Sequence, residues 1–259
     1  MEYFNIQKDD GNIISCVKAI PDQPKGIVIV IHGFTSSKES STYRLLRDRL
    51  PAAGFGMVGI DLPGHGTGES AKETLRIPGA INSIQAVERY VLQAYPGYEV
   101  FYFGSSFGAY LIGLYISTWA HAGRKAFWRS AAVNMPKLFV KENPTAKEKQ
   151  QLEDLETKGY FEAEMEGNRP VRVTKAFYND LLENDLFEIF DPNRFGKNQI
   201  AMAHGREDSV IDPDAADRFA EKFKIPVTWF PGEGHSLSNN SSTPDRVVDL
   251  AIAFFRGEV

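Results

Sequence analysis

The sequence predicts an α/β fold in which a mostly parallel sheet is covered by helices on both faces. Residues 27–31 form a continuous β-branched run, which is typical of a strand buried on both faces. Residues 80–95 carry apolar side chains at spacings of three and four, which is the period of a helix. Segments of these two kinds alternate along most of the chain, and this alternation predicts parallel strands joined by crossover helices.

The predicted elements follow one another from the N-terminus. Residues 3–6 and 13–18 are predicted to pair as a hairpin, because a turn-forming Asp-Asp-Gly-Asn stretch lies between them. A helix at about 41–53 and a strand at 56–60 follow the first buried strand. The alternation continues through the segments 80–95, 100–103, 107–120, 126–133, 200–203, 227–230 and 244–255.

Residues 135–196 interrupt this alternation, and we interpret them as an inserted lid on a core made of residues 1–134 and 197–259. The alternative is a peripheral extension of the core. Within the segment, Asn143 and Pro144 are suited to the N-cap and the first position of a helix. The remaining predicted lid elements are a hairpin of residues 161–166 and 171–174 with a turn at 167–168, and a second helix at 175–184.

Composition and charge exclude several classes of protein. The chain has 259 residues, a formal net charge of −5 and no long Lys/Arg cluster, so a nucleic-acid partner is not expected. Cys16 is the only cysteine, which rules out an internal disulfide and a four-cysteine zinc site. The sequence shows no N-terminal signal and no apolar run long enough to cross a bilayer, so we expect a cytoplasmic protein without a membrane span. A monomer and a homodimer are both left open.

The pentapeptide Gly104-Ser105-Ser106-Phe107-Gly108 fits the pattern G-x-S-x-G. An apolar strand precedes it and a helix follows it, so the turn between them is expected to be sharp and to expose the central side chain. We therefore predict Ser106 as a nucleophile. Ser105 is out of register for that role and is expected to be a supporting hydrogen-bonding residue.

A serine nucleophile needs a base, and in hydrolases with such a turn the acid and then the base follow the nucleophile along the chain. Of the later histidines, His121 lies at the far end of the next helix and His204 ends a buried strand, where we expect it to be packed and satisfied. His235, in a Gly-rich turn after the last apolar strand, is the predicted base. Asp208, just past the preceding strand, is the predicted acid that orients the imidazole.

The backbone N–H groups of Phe34 and Phe107 are predicted to form an oxyanion hole, because the glycine-bearing turn His32-Gly33 follows the first buried strand. His32 itself is expected to be structural, and His65 to be a surface or hinge residue. No phosphate-binding loop, dinucleotide fingerprint or H-E-x-x-H motif is present in the sequence, so neither a metal nor a cofactor is expected.

Taken together, these motifs resemble those of the α/β-hydrolase superfamily. The matching stretches are 32–34, 61–70, 104–108, 205–208 and 234–235. The resemblance implies an eight-stranded sheet whose second strand is antiparallel, with a lid after the sixth strand. More narrowly, the chain is similar to bacterial cinnamoyl (feruloyl) esterases in its length, its H-G-F-T turn and its small lid with a hairpin. It departs from them at Ser105, which stands where histidine is common.

The motifs predict a serine carboxylesterase that acts through an acyl-enzyme on a small-molecule ester with a small or medium acyl group, and the resemblance adds hydroxycinnamoyl (feruloyl) esters. Phe177 and Tyr178 open the last lid helix and are the predicted substrate-binding residues, although helical geometry lets only one of them face the pocket. Serine aminopeptidases and monoacylglycerol lipases share these motifs. A non-catalytic ligand receptor of the same fold is the alternative from another class.

Overall fold

The computed structural model describes residues 1–139, 141, 143–164, 169–195 and 199–259. The strands are β1 (Glu2–Gln7), β2 (Ile13–Ala19), β3 (Ile27–Ile31), β4 (Gly56–Ile60), β5 (Val100–Ser105), β6 (Gly123–Arg129), β7 (Tyr160–Ala163), β8 (Val171–Thr174), β9 (Ile200–Gly205) and β10 (Val227–Phe230). The helices are α1 (Ser41–Ala52), α2 (Ile77–Ala94), α3 (Phe107–Thr118), α4 (Met135–Phe139), α5 (Ala146–Thr157), α6 (Lys175–Glu183), α7 (Leu186–Ile189), α8 (Pro213–Phe223) and α9 (Thr243–Arg256).

Eight of the strands form one sheet in the order β1-β2-β4-β3-β5-β6-β9-β10. Strand β2 is antiparallel to both of its neighbours, and the pairs from β4 to β10 are all parallel. The expectation of an eight-stranded, mostly parallel sheet with an antiparallel second strand is therefore confirmed. In such a sheet the loops that follow the carboxyl ends of the parallel strands meet along one edge, which is where open α/β sheets bind their ligands.

The apolar side chains form two clusters, one on each face of the sheet. The larger cluster packs α2, α3 and α8 against one face, and the smaller packs α1 and α9 against the other. All five residues of β3 are buried, as its continuous β-branched run predicts. Strand β6 ends earlier than the sequence suggested, because the chain turns out of the sheet at Ser130, whose φ is +47°.

The segment 135–196 contains α4 to α7 and the β7–β8 hairpin. Its first long helix begins later than predicted, because Thr145 rather than Asn143 is the N-cap. The Thr145 side chain accepts the Glu148 N–H, and the Glu148 carboxylate accepts the Thr145 N–H, so two free amides are satisfied reciprocally. The predicted turn at 167–168 lies outside the described residues.

An ion pair joins this segment to the rest of the chain. Asp180 of α6 is buried and accepts two hydrogen bonds from Arg76, at 2.6 and 2.7 Å, in a bidentate arrangement. It also accepts the Ile77 N–H at 3.0 Å, at the N-terminus of α2. The division into a core and an inserted lid remains a prediction, and within it Asp180 would fix the lid to the core.

Among the described residues, no helix is both long and apolar enough to cross a membrane.

Candidate active site

Ser106 occupies a strained turn between β5 and α3. Its φ is +53° and its ψ is −113°, a conformation that costs an ordinary residue energy and is held only by its surroundings. A Cβ atom on Gly104 would lie 2.6 Å from the backbone of Ala109, and one on Gly108 would lie 2.2 Å from the Ile31 oxygen. The turn therefore requires glycine at both positions, as the G-x-S-x-G pattern implies.

A continuous chain of contacts joins three of the predicted residues. His235 Nε2 lies 3.1 Å from Ser106 Oγ, and His235 Nδ1 lies 2.8 Å from Asp208 Oδ2. The three side chains come from three loops at the carboxyl ends of β5, β9 and β10. The arrangement allows the imidazole to accept the serine proton at Nε2 while its Nδ1–H is held by the carboxylate.

Asp208 is buried and its carboxylate is fully engaged. Oδ1 accepts the N–H groups of Val210 and Ile211, each at 2.9 Å, and Oδ2 faces His235. Burial raises the pKa of Asp208, but its contacts with the His204 and His235 rings outweigh this and hold the pKa well below its usual range. The carboxylate is thus ionised at neutral pH, and a negative charge at this position can stabilise a neighbouring imidazolium.

His204 is a second histidine on the same carboxylate. Its Nε2 lies 3.1 Å from Asp208 Oδ2, but the N–H direction is poor, and neither ring nitrogen has a well-directed hydrogen bond within the described residues. Its ring packs against Trp229, with centroids 5.5 Å apart. It is therefore packed, as expected from the sequence, but it is not fully satisfied.

The loop that carries His235 is fixed by contacts that the sequence did not reveal. Ser130 Oγ donates to the His235 carbonyl oxygen at 2.8 Å. The buried Glu233 carboxylate accepts the N–H groups of Asn239 and Asn240 at 2.8 and 2.9 Å, and the Thr243 hydroxyl at 2.6 Å. These bonds convert a Gly-rich turn, which would otherwise be mobile, into a fixed support for the imidazole.

The turn after β3 runs close to the nucleophile. A Cβ atom on Gly33 would lie 3.3 Å from Ser106 Cβ, so only glycine lets the backbone approach without displacement. Within the described residues, the N–H groups of Phe34 and Phe107 donate no hydrogen bond to protein, while that of Thr35 donates to His65 Nε2 at 3.1 Å. Two unused donors beside Ser106 are what an oxyanion hole requires, and their assignment to it is a proposal.

The structure corrects the expectation that His65 is a surface or hinge residue. It is buried, its Nε2 accepts the Thr35 N–H, and its ring lies 5.0 Å from that of His32. His32 is also buried and its Nε2 accepts the Leu62 N–H at 3.0 Å. Both rings are thus structural supports of the turn that carries Phe34.

The two buried histidines predict a loss of stability in mild acid. Burial lowers the pKa of His32 to about 4 and that of His65 to about 3, whereas an unfolded chain has histidine pKa values of about 6.5. Above pH 6.5 neither state binds these protons. As the pH falls below 6.5, only the unfolded state binds them, so the free energy of unfolding should decrease by about 1 kcal/mol per pH unit for each histidine.

Urea unfolding at pH 7.5, 6.5 and 5.5 measures this slope before most carboxylates titrate. His65→Gln keeps a side-chain acceptor for the Thr35 N–H. It should reduce the slope by about 1 kcal/mol per pH unit, which is the contribution of one histidine. A free energy of unfolding that does not change between pH 6.5 and 5.5 would show that these rings are not held neutral by the fold.

A cavity of about 820 Å³ opens at Ser106 and His235. One part of its wall is apolar and consists of Phe34, Phe107, Met135, Leu138, Phe139, Ala163, Val210 and Ile211. Phe177 and Tyr178 are not among the residues that line it. Phe177 is buried behind the wall, stacked on Phe34 with ring centroids 6.1 Å apart and edge-on to Phe107, and Tyr178 is half-buried.

Arg129 is a site residue that the sequence reasoning missed. It ends β6, directly after the apolar residues of that strand. Its guanidinium donates to Ser105 Oγ at 2.8 Å and to the Ser236 carbonyl oxygen, so it touches the neighbours of both Ser106 and His235. A cation at the carboxyl end of a strand of a parallel sheet is the signal that could have identified it.

No group of three or more His, Cys, Asp or Glu side chains among the described residues is arranged to hold a metal ion.

Comparison with known proteins adds a family and a fold. A family model described as serine aminopeptidase, S33, matches residues 22–165, which is more than half of the chain and includes the Ser106 turn but neither Asp208 nor His235. No curated protein matches the chain.

Solved structures of similar fold cover almost the whole chain. Est1E from Butyrivibrio proteoclasticus with ferulic acid bound is 17% identical with a TM-score of 0.73, covering 98% of this chain and 99% of its own. The esterase domain of a Rhodothermus marinus protein is 16% identical with a TM-score of 0.69, covering 98% and 97%. Alpha/beta hydrolase domain-containing protein 10 from mouse is 14% identical with a TM-score of 0.70, covering 99% and 98%.

Proposed function

The chain belongs to the serine aminopeptidase S33 family, and from that premise we propose that it is a serine carboxylesterase acting on esters of small or medium acyl groups. Its family and its fold make it a serine hydrolase of the α/β-hydrolase superfamily. The observation that carries the ester proposal is the chain of contacts from Asp208 through His235 to Ser106, at 2.8 and 3.1 Å, which ends in a largely apolar cavity.

In the proposed reaction, His235 Nε2 takes the proton of Ser106 Oγ while the oxygen attacks the ester carbonyl carbon. The N–H groups of Phe34 and Phe107 stabilise the negative oxygen of the tetrahedral intermediate. The intermediate then collapses, and His235 returns the proton to the departing alcohol. Water attacks the resulting acyl-enzyme with the same base, which releases the carboxylic acid and restores the Ser106 hydroxyl.

The cavity supports an ester with an apolar acyl group. Its volume of about 820 Å³ falls within the range of small-molecule sites, and the wall near Ser106 is formed by aromatic and aliphatic side chains. Phe34 and Phe139, which contact one another edge-on with ring centroids 5.9 Å apart, both line the cavity, and an aromatic wall of this kind suits an aromatic acyl group. Hydroxycinnamoyl esters such as feruloyl esters are therefore the finer form of the proposal, supported by the shared fold of Est1E with ferulic acid bound.

A serine aminopeptidase is the second candidate, and one observation favours it. Glu164, the residue after β7, is exposed and lines the cavity, and an acidic residue there supports binding of the amine of a peptide substrate. Glu162, two positions earlier on the hairpin, is exposed as well, but its carboxylate is paired with Arg172 at 2.9 Å across the strands and it does not line the cavity. The two acidic residues thus form a matched pair for a test.

The test compares p-nitrophenyl acetate, butyrate and octanoate and methyl ferulate with aminoacyl p-nitroanilides. We expect turnover of the esters, with kcat/KM differing among the acyl groups, and little turnover of the anilides. Glu164→Gln and Glu162→Gln should then both leave the ester rates close to those of the wild type. Faster turnover of the anilides, lost in Glu164→Gln but retained in Glu162→Gln, would replace the esterase proposal with the aminopeptidase.

A further inference from the structure

The cavity extends to the other face of the sheet. Phe103 of β5 and Phe127 of β6 pack in the cluster beneath α1 and α9, and alternate residues of a strand share a face. Ser105 and Arg129, each two residues further along, therefore lie on that face as well. We call this part of the cavity, which is lined by Phe103, Ser105, Arg129, Ser40, Thr42 and Ser236, the rear lobe. Asp245 of α9 also lines the cavity, and its carboxylate is paired with Arg49.

Arg129 brings a positive charge into the rear lobe without a carboxylate to balance it. Its hydrogen-bond acceptors, Ser105 Oγ and the Ser236 carbonyl oxygen, are both neutral. Within the described ranges, no Asp or Glu oxygen lies within 4.0 Å of the guanidinium. Asp208 acts on Arg129 only through space, and its own oxygens are engaged by His235 and the backbone.

The charge of Arg129 persists at neutral pH. The residue is partly buried, and desolvation by the surrounding protein lowers its pKa to about 10, while the charge of Asp208 opposes the shift. A partly desolvated cation without an ion pair is costly, and ionisable groups perturbed in this way cluster at functional sites. The hydroxyl groups of Ser40 and Thr42 add hydrogen-bond donors to the same lobe.

We propose that the rear lobe is a carboxylate subsite, in which Arg129 binds an acidic group of the ester substrate. The proposal rests on the esterase function and names its substrate class as esters that carry a free carboxylate. We expect the acidic group to lie only a few atoms from the scissile bond, because Ser105, which the guanidinium contacts at 2.8 Å, precedes Ser106 and all three residues line the same cavity. A half-ester of a short dicarboxylic acid has this geometry.

Two matched substrate pairs test the subsite on either side of the ester bond. On the acyl side, monoethyl succinate is compared with ethyl levulinate, which replaces the carboxylate by a neutral acetyl group of similar size. On the alcohol side, acetoxyacetate is compared with acetoxyacetone. The wild type should prefer the charged member of at least one pair in kcat/KM. In Arg129→Met, the charged-to-neutral ratio for that pair should fall by roughly 10- to 100-fold, as expected for loss of a charge-assisted hydrogen bond.

Control variants distinguish whether Arg129 binds the substrate carboxylate or only supports the fold. Arg129→Lys keeps the charge but loses the paired donors of the guanidinium. Its charged-to-neutral ratio of kcat/KM should therefore lie between those of the wild type and Arg129→Met. Arg206→Met is the matched control, since Arg206 stacks on Trp229 and does not line the cavity. If Arg129→Met lowered kcat/KM equally for the charged and the neutral member of the pair, the subsite proposal would be refuted. Arg129 would then only hold Ser105 and Ser236 in position.

A binding measurement distinguishes failure of the subsite from failure of the esterase proposal. Titration of succinate into the Ser106→Ala protein should give heat that is lost in Ser106→Ala/Arg129→Met. If the wild type hydrolyses none of the esters but succinate binds through Arg129, the esterase function fails and the carboxylate subsite stands. If the esters are hydrolysed but neither succinate binding nor a preference for the charged substrates depends on Arg129, the subsite fails and the esterase function stands.

Discussion

Replacing Ser106 with alanine is expected to lower kcat for ester hydrolysis by about 10⁶-fold, because in the proposed reaction its hydroxyl forms the acyl-enzyme. The variant should fold normally, since the strained turn is held by the glycines and by backbone hydrogen bonds, including that from the Ser106 N–H to the Arg129 oxygen at 2.8 Å. Initial rates with p-nitrophenyl butyrate, together with a thermal unfolding curve, measure both effects.

Ser105→Ala is the matched control for this prediction. Ser105 Oγ accepts a hydrogen bond from Arg129 and lies on the opposite face of the sheet from the apolar wall, so its loss should reduce the rate far less. An inactive Ser105→Ala protein beside an active Ser106→Ala protein would show that the nucleophile has been placed one residue out of register.

Replacing His235 with alanine is expected to reduce kcat by a similar factor of about 10⁶, because a serine without its base is a weak nucleophile. The effects should not add, so Ser106→Ala/His235→Ala should be no slower than either single variant.

In the wild type, kcat/KM should increase with pH through one ionisation, since only a neutral imidazole accepts the serine proton. EDTA should leave the rate unchanged.

His121→Gln is the control for His235. It follows α3 at the end remote from Ser106, and its ring packs against Tyr102 and Phe195. Its replacement should change stability more than turnover. Retention of activity in His235→Ala, with loss in His121→Gln, would refute the assignment of the base.

The parts of the fold and site that the sequence predicted are those set by contiguous residues. The β-branched run of β3 and the helical spacing of α2 each fix an element locally. The turn at Ser106 is fixed by five consecutive residues, whose glycines are required sterically. Asp208 and His235 followed from their order along the chain, and the structure brings them to 2.8 Å from one another.

The residues that sequence reasoning missed depend on contacts between distant parts of the chain. Arg129 reaches Ser236, 107 positions later, only because β6, β9 and β10 are neighbours in the sheet. The buried state of His65 depends on packing against the turn after β3. The position of Arg129 at the end of β6 marks it as a candidate site residue, but neither of these contacts leaves a local pattern in the sequence.

The placement of Phe177 shows that reasoning from the sequence has the same limit for a helix. A helical period tells which residues share a face, but not whether that face meets a cavity or a core. In α6 the face that carries Phe177 packs on Phe34 and Phe139, so the ring supports the cavity wall from behind. A substitution there should act through the position of Phe34.

Labelling with a small fluorophosphonate, followed by peptide mass spectrometry, tests the proposed nucleophile most directly. The reagent forms a covalent bond only with an activated hydroxyl group, so it also separates a hydrolase from a receptor of the same fold. We predict one adduct per chain, on Ser106, that is absent from Ser106→Ala and strongly slowed in His235→Ala. An unlabelled wild-type protein, or an adduct on any other residue, would contradict the proposed site.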